Sequence, residues 1–242
     1  MPNKYLPMYP KELEDFISFN QTPYNFKYPD MFDPKWVITE SEWPYFRLSS
    51  LDNQPYKEMH QEAEALLSHF KPHRDEYGQG WKSLTLHGLN DDTQSLEQYG
   101  DNRQEVLDQL GWTWVAEQCP VTKKFLTDVW PAEFLNRVRF MLLEPGGYIL
   151  PHQDRPNDQK RLSVCNISLN MPAGCEMIME GMGPIPFDDK GSAMLVDISN
   201  KHAVYNPTDT PRIHMIIHYE IGRRLRDFFY VLRSSYYTNR EL

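Results

Sequence analysis

Glu144-Pro-Gly-Gly-Tyr-Ile-Leu-Pro-His-Gln-Asp154 is the stretch whose reading decides the fold. It follows an apolar run and ends with an imidazole and a carboxylate two residues apart. In an extended strand, side chains at i and i+2 share a face, so His152 and Asp154 are placed to close on one metal ion. The same alternation predicts that Tyr148 and Leu150 border His152, while Pro151 and Gln153 look away. Gly146-Gly147 reads as a turn that aims the second strand, because no helix N-terminus follows it to cradle a phosphate.

His-x-Asp by itself says little, since His73-Arg-Asp75 has the same spacing. That copy follows a helix and a proline with no strand on either side. It also begins like a kinase catalytic loop, but Gly80 stands where the loop needs its Asn. His73 and Asp75 are therefore assigned to the solvated surface.

Distant residues separate the two copies. His202 lies within Ser199-Asn-Lys-His-Ala-Val-Tyr-Asn206, and Arg212 follows ten positions later. Two imidazoles and a carboxylate on one side of a metal form the facial triad of non-haem iron(II) oxygenases, which leaves open positions opposite for co-substrate and dioxygen. A guanidinium is suited to clamp a dicarboxylate through its rigid fork. A structural ion pair of Arg212 with Asp209 or Asp197 stays open beside that role. Alternation from Arg212 puts His214, Ile216 and His218 on its face and Ile213, Met215, Ile217 and Tyr219 on the other, so His214 should line any cavity that Arg212 enters.

Around this centre the chain divides by texture. Residues 1–55 are rich in proline and aromatics, with a short helix expected over Lys11 to Phe19. Apolar positions at helical spacing predict helices over Tyr56 to Phe70 and Pro120 to Trp130, with Pro120 in the first turn. Gly80 to Leu86 alternates as a strand, and Asn90 to Arg103 reads as a loop. From Arg137 onward come short apolar runs: Arg137 to Leu143, Tyr148 to Gln153, Arg161 to Asn170, Glu176 to Met179, Ala193 to Asp197, His202 to Tyr205 and Arg212 to Ile221. Strands so short and regularly spaced predict a β-sandwich or barrel. Leu225 to Leu232 closes the chain as a short outer helix. The expected organisation is one domain over 1–242, in which a helical and irregular part (1–136) buttresses a β core (137–224), followed by a C-terminal helix and tail (225–242).

Composition narrows the partners. Hydrophobic residues at 40% and a net charge of −9 describe a globular chain that does not seek nucleic acid or an anionic membrane, while leaving room for a local basic pocket. No apolar run is long enough for a signal peptide or a membrane span, which predicts a cytoplasmic protein. Cys119, Cys165 and Cys175 lack metal-cluster spacing and are expected to be buried thiols. Met177, Met179 and Met182 are expected to pack a core or lid.

The run from Glu144-Pro-Gly to Pro151-His-Gln-Asp154, then Leu169-Asn-Met-Pro-Ala-Gly174, then Asn200-Lys-His-Ala-Val-Tyr-Asn-Pro-Thr-Asp-Thr-Pro-Arg212, resembles the aspartyl/asparaginyl β-hydroxylase family of iron(II)- and 2-oxoglutarate-dependent dioxygenases. The resemblance implies a double-stranded β-helix, the cupin-like jelly roll, with flanking helices. It implies iron held by His152, Asp154 and His202, Arg212 on the distal carboxylate of 2-oxoglutarate, and hydroxylation of a small molecule or an amino-acid or peptide side chain by dioxygen, with release of succinate and carbon dioxide. Some animal members carry glycine for the carboxylate ligand, so Asp154 places this chain nearer the bacterial small-molecule hydroxylases. The family's Arg-x-His pair falls on Val164 and Asn166 here. Val164, Asn166 and Ser168 should then face inward and Cys165, Ile167 and Leu169 outward. Asn166 becomes the candidate for the inner end of the co-substrate, with Arg161 the nearest charged substitute, out of phase. Tyr148 and His214 are candidate substrate contacts. Two rivals stand beside this reading: a cupin-type metalloenzyme that works without 2-oxoglutarate, and a non-catalytic jelly-roll binding module.

Overall fold

The computed structural model describes residues 9–33, 43–94, 103–154, 162 and 164–241. Their strands are β1 (Tyr45–Arg47), β2 (Lys71–Pro72), β3 (Gly78–Gly88), β4 (Gly111–Trp112), β5 (Phe134–His152), β6 (Val164–Ser168), β7 (Glu176–Met179), β8 (Gly183–Pro184), β9 (Ser192–Val196), β10 (His202–Tyr205) and β11 (Arg212–Glu220). The helices are α1 (Lys11–Phe19), α2 (Tyr56–Glu64), α3 (Arg103–Leu107), α4 (Trp114–Gln118), α5 (Pro120–Lys124) and α6 (Leu225–Arg240).

The strand order is β1-β9-β6-β11-β5-β10-β7-β8, with β3 also on β5. β5 explains how this one ladder makes two layers. Its first half pairs with β11 up to Leu143, and its second half pairs with β10 from Tyr148 to His152. The two strands expected from the sequence are thus one ribbon, bent at the glycine pair. Gly146 has φ 71°, and a Cβ on Gly147 would stand 2.8 Å from the Glu144 carbonyl oxygen and 2.9 Å from that of Gln79. β11, β6, β9 and β1 extend one layer, β10, β7 and β8 the other, as in a double-stranded β-helix.

Apolar side chains sort cleanly between the faces. Leu143, Ile149, Met177, Met179, Met194, Val196 and Val204 meet between the layers. On the outer face of the larger layer, Val138, Phe140, Leu142, Cys165, Ile167, Leu195, Ile213, Met215 and Ile217 pack with the helices. Ile178 and Ala203 pack outside the smaller layer with Leu13 and Phe16 of α1. The three cysteines are buried and free. The alternation expected of β11 and of residues 164–169 matches this sorting.

Several expectations are corrected. The helix over Tyr56 to Phe70 ends at Glu64 and tightens into a 3-10 turn at Leu67–His69, which buries Leu66 and Phe70 and leaves Leu67 exposed. The helix from Pro120 widens after Lys124, where Trp130 N–H bonds back to the Phe125 carbonyl. α6 runs to Arg240, because Ser235 and Tyr236 continue the buried stripe of Phe228 and Leu232. The first half of the chain also joins the sheet: β1, not expected as a strand, pairs with β9, and β3, which contains the strand expected over Gly80 to Leu86, follows β5 through its bend.

Candidate metal and co-substrate site

His152 ends β5 and His202 begins β10 directly opposite it. Asp154 lies just past the strand, with its N–H donated to the Ile198 carbonyl at 3.1 Å. One ligand atom from each of the three lies within 4.8 Å of the others. Backbone carbonyls fix both imidazoles. His152 Nδ1 lies 2.8 Å from the Leu150 oxygen and His202 Nδ1 lies 2.9 Å from the Asn200 oxygen. A carbonyl only accepts, so each Nδ1 carries the proton and each Nε2 keeps its lone pair, the arrangement a metal ligand needs. His202 Nε2 stands 3.8 Å from Asp154 Oδ2.

The electrostatics suit a cation. Burial alone would raise the Asp154 pKa, but His202, His152 and Arg74 together hold it below the usual carboxylate range. Burial, then the neighbouring His202, lower that of His152, which keeps the ring neutral and able to ligate. These donors are those of a 2-His-1-carboxylate iron(II) site.

The opposite end of the inward face holds a second incomplete constellation. Arg212 is 4% exposed and His214 fully buried. His214 Nδ1 lies 2.8 Å from Arg212 Nη2 and 2.7 Å from Asn166 Oδ1. One ring nitrogen cannot accept from the guanidinium and donate to the amide oxygen at once, so one of these contacts is unsatisfied in either tautomer. Arg212 Nε and His214 Nε2 have no partner among the described residues. Neither Asp209 nor Asp197 pairs with Arg212, and Asp197 Oδ1 is taken by Ser199. Burial lowers the Arg212 pKa to about 10, so it remains a cation, with no carboxylate partner among the described residues. The carboxylate of a bound dicarboxylate would complete this corner.

The remaining predicted residues divide. Asn166 and His214 face the interior, whereas Arg161 lies outside the described residues. Tyr148 and Leu150 do not border His152. In the β5–β10 ladder His202 faces His152 but Val204 faces Ile149, so β5 carries an extra residue. That bulge reverses the alternation: Ile149 points inward, and Tyr148 packs outside against Tyr9, whose ring centroid lies 5.8 Å from that of Tyr148 and 5.8 Å from that of Tyr205. Tyr148 is therefore withdrawn as a substrate contact.

His73 is also corrected, since it is 1% exposed while Asp75 is on the surface. Its ring lies 4.4 Å from that of Trp81, which in turn lies 6.1 Å from His152. Sequence reasoning missed three neighbours. Arg74 has φ 50°, alone among the described non-glycine residues in being positive, and reaches Asp154 Oδ1 at 3.2 Å. Trp81 and Arg139 join the inward wall. Arg137 and Arg139 alternate with Val138, Phe140 and Leu142 on a buried strand, a signal that the sequence carried.

With the geometry in place, comparison with known proteins gives it a family. Residues 53–220 match the family model described as aspartyl/asparaginyl beta-hydroxylase, well over half of the chain. The chain belongs to that family. The family is one of 2-oxoglutarate- and iron(II)-dependent hydroxylases, and this member keeps the His-x-Asp…His triad, so it is an enzyme of that class. Similar solved structures include a Pseudomonas putida prolyl-4-hydroxylase, with 16% identity over 72% of this chain and 97% of that one and a TM-score of 0.38. A 2OG-Fe(II) oxygenase family oxidoreductase from Burkholderia pseudomallei has 12% identity over 83% and 96%, with a TM-score of 0.43. No curated protein matches the chain. Among the described residues, no helix is long and apolar enough to cross a membrane.

Proposed function

We propose that this family member hydroxylates a small molecule or free amino acid, using iron(II) held by His152, Asp154 and His202 and 2-oxoglutarate seated on Arg212. The observation that carries the reading is the buried guanidinium of Arg212, without a carboxylate partner among the described residues, on the same inward face as the triad. When bound, iron and 2-oxoglutarate supply oxidative decarboxylation to succinate and carbon dioxide and the oxidising power for hydroxylation.

The protein's residues orient and shield. The Leu150 and Asn200 carbonyls lock the two imidazoles, and Arg74 steadies one oxygen of Asp154. Trp81 and Tyr77 lie against His152, with ring centroids at 6.1 and 5.4 Å, and limit water around the ligands. The two histidine ligands are buried and Asp154 lies at the exposed edge of the site, and the preference for a small substrate rests on that retained carboxylate, which this chain shares with the bacterial small-molecule hydroxylases it resembles.

Anaerobic titration of the protein with iron(II) and 2-oxoglutarate, followed by the metal-to-ligand absorption band, tests the site. The band is expected in the wild type and absent in His202→Ala. A band of equal strength in both overturns the assignment.

A further inference from the structure

Arg139 raises the same question as Arg212, at a different place on the inward face. It is 5% exposed and stands opposite Ile216 and Thr85, two rows along β5 from Leu143, the partner of Arg212. Among the described residues its Nη1 alone makes hydrogen bonds, at 3.3 Å from His73 Nε2 and 3.0 Å from the Gln94 carbonyl, and its Nε has no partner. No carboxylate among the described residues forms an ion pair with it; Asp154 acts on it only at longer range and is already engaged by Arg74. Arg is always a donor, so His73 Nε2 accepts, Nδ1 keeps the proton, and Ser83 Oγ at 3.4 Å is positioned to receive it. Burial and the arginines around it lower the His73 pKa to about 2, which keeps it in this accepting form. The buried histidine thus fixes one edge of a guanidinium and leaves the rest unused. The wall continues to the triad through Trp81, which touches His73 and lies beside His152.

A buried cation held in place yet left without a counterion is costly unless a ligand supplies one. We propose that Arg139 is a second carboxylate-binding residue of this centre, taking either the metal-side carboxylate of 2-oxoglutarate or a carboxylate of the substrate. The inference rests on the iron and 2-oxoglutarate reading above. It supplies the charge that Asn166 lacks if the first source holds, and makes the substrate an acid if the second does.

The test uses the full chain with iron(II) under anaerobic conditions, as wild type, Arg139→Met and Arg139→Lys. The first arm titrates 2-oxoglutarate. The second saturates with it and follows the shift of the absorption band on adding each of the twenty L-amino acids. At least tenfold weaker 2-oxoglutarate binding in Arg139→Met, partly restored in Arg139→Lys, assigns the co-substrate carboxylate. Unchanged 2-oxoglutarate binding with an amino-acid response lost in Arg139→Met and partly restored in Arg139→Lys assigns the substrate carboxylate. In either case the thermal midpoint of ligand-free Arg139→Met should be no lower than that of wild type, since an unpaired buried charge has been removed. Unchanged 2-oxoglutarate binding with no lost amino-acid response overturns the proposal, as does a lowered ligand-free midpoint with binding intact. Absence of the band in wild type would instead sink the iron and 2-oxoglutarate reading itself.

Discussion

Arg212 and the buried histidines carry the sharpest consequences at the level of single residues. Removing a guanidinium that binds a carboxylate in a dry site typically costs 2 to 5 kcal/mol or more, so Arg212→Met should weaken 2-oxoglutarate about 30-fold or more. Arg212→Lys keeps the charge but not the fork, and should recover only part. Comparing the three 2-oxoglutarate affinities checks this, and equal values would remove Arg212 from the site. His73 gives a pH prediction with a definite sign. Its pKa is about 2 in the folded chain against about 6.5 when unfolded, so between these values the unfolded state binds a proton that the native state does not. Stability therefore falls as the pH drops below about 6.5, by about 1.4 kcal/mol per pH unit for this group. His87, lowered to about 4 by burial, adds in the same direction. Urea midpoints at pH 7.5 and 5.5 should show the loss, and His73→Asn should show a shallower pH dependence by about one proton. Identical dependence in both proteins would contradict a neutral buried His73.

At the scale of elements, β5 governs the site because it belongs to both layers. Its bend places the triad end of one half beside the interior of the other, and its bulge turns His152 inward. β3 supports the second half at very close range: Gly78 is extended, but a Cβ there would lie only 2.0 Å from the Tyr148 carbonyl oxygen. Gly78→Ala should therefore force β3 away from β5, at a cost of about 1–3 kcal/mol. Because β3 also carries Trp81 and Ser83, iron(II) binding should weaken alongside. A thermal melt and a metal titration of the variant check both effects, and normal values in both would show that the strands do not need this contact.

For the whole molecule, the two faces of the larger layer have separate duties. The inner face carries Arg212, His214, Asn166 and Arg139, and the outer face is sealed by α6 and the other helices. Leu232 is fully buried on that outer side, so Leu232→Ala should cost about 2–5 kcal/mol while leaving 2-oxoglutarate affinity in the folded protein unchanged. Denaturant unfolding and co-substrate titration separate the two, and a lost affinity at full folding would link the helix to the site. The sequence by itself singled out His152, Asp154 and His202, which the fold brings within reach of one metal ion, and Arg212, which the fold buries, because ligand chemistry needs particular residue types. Alternation also gave the facing of β11, whereas that of β6, buried at every position, came from the register of the family's Arg-x-His pair and not from its own pattern. Only the tertiary structure decided where Tyr148 points, since one inserted residue reverses an alternation and the local pattern gives no sign of it. It also decided what His73 does. Its neighbours along the chain resemble a surface turn, and its burial comes from Trp81, Ser83 and Arg139, which the folded sheet brings to it.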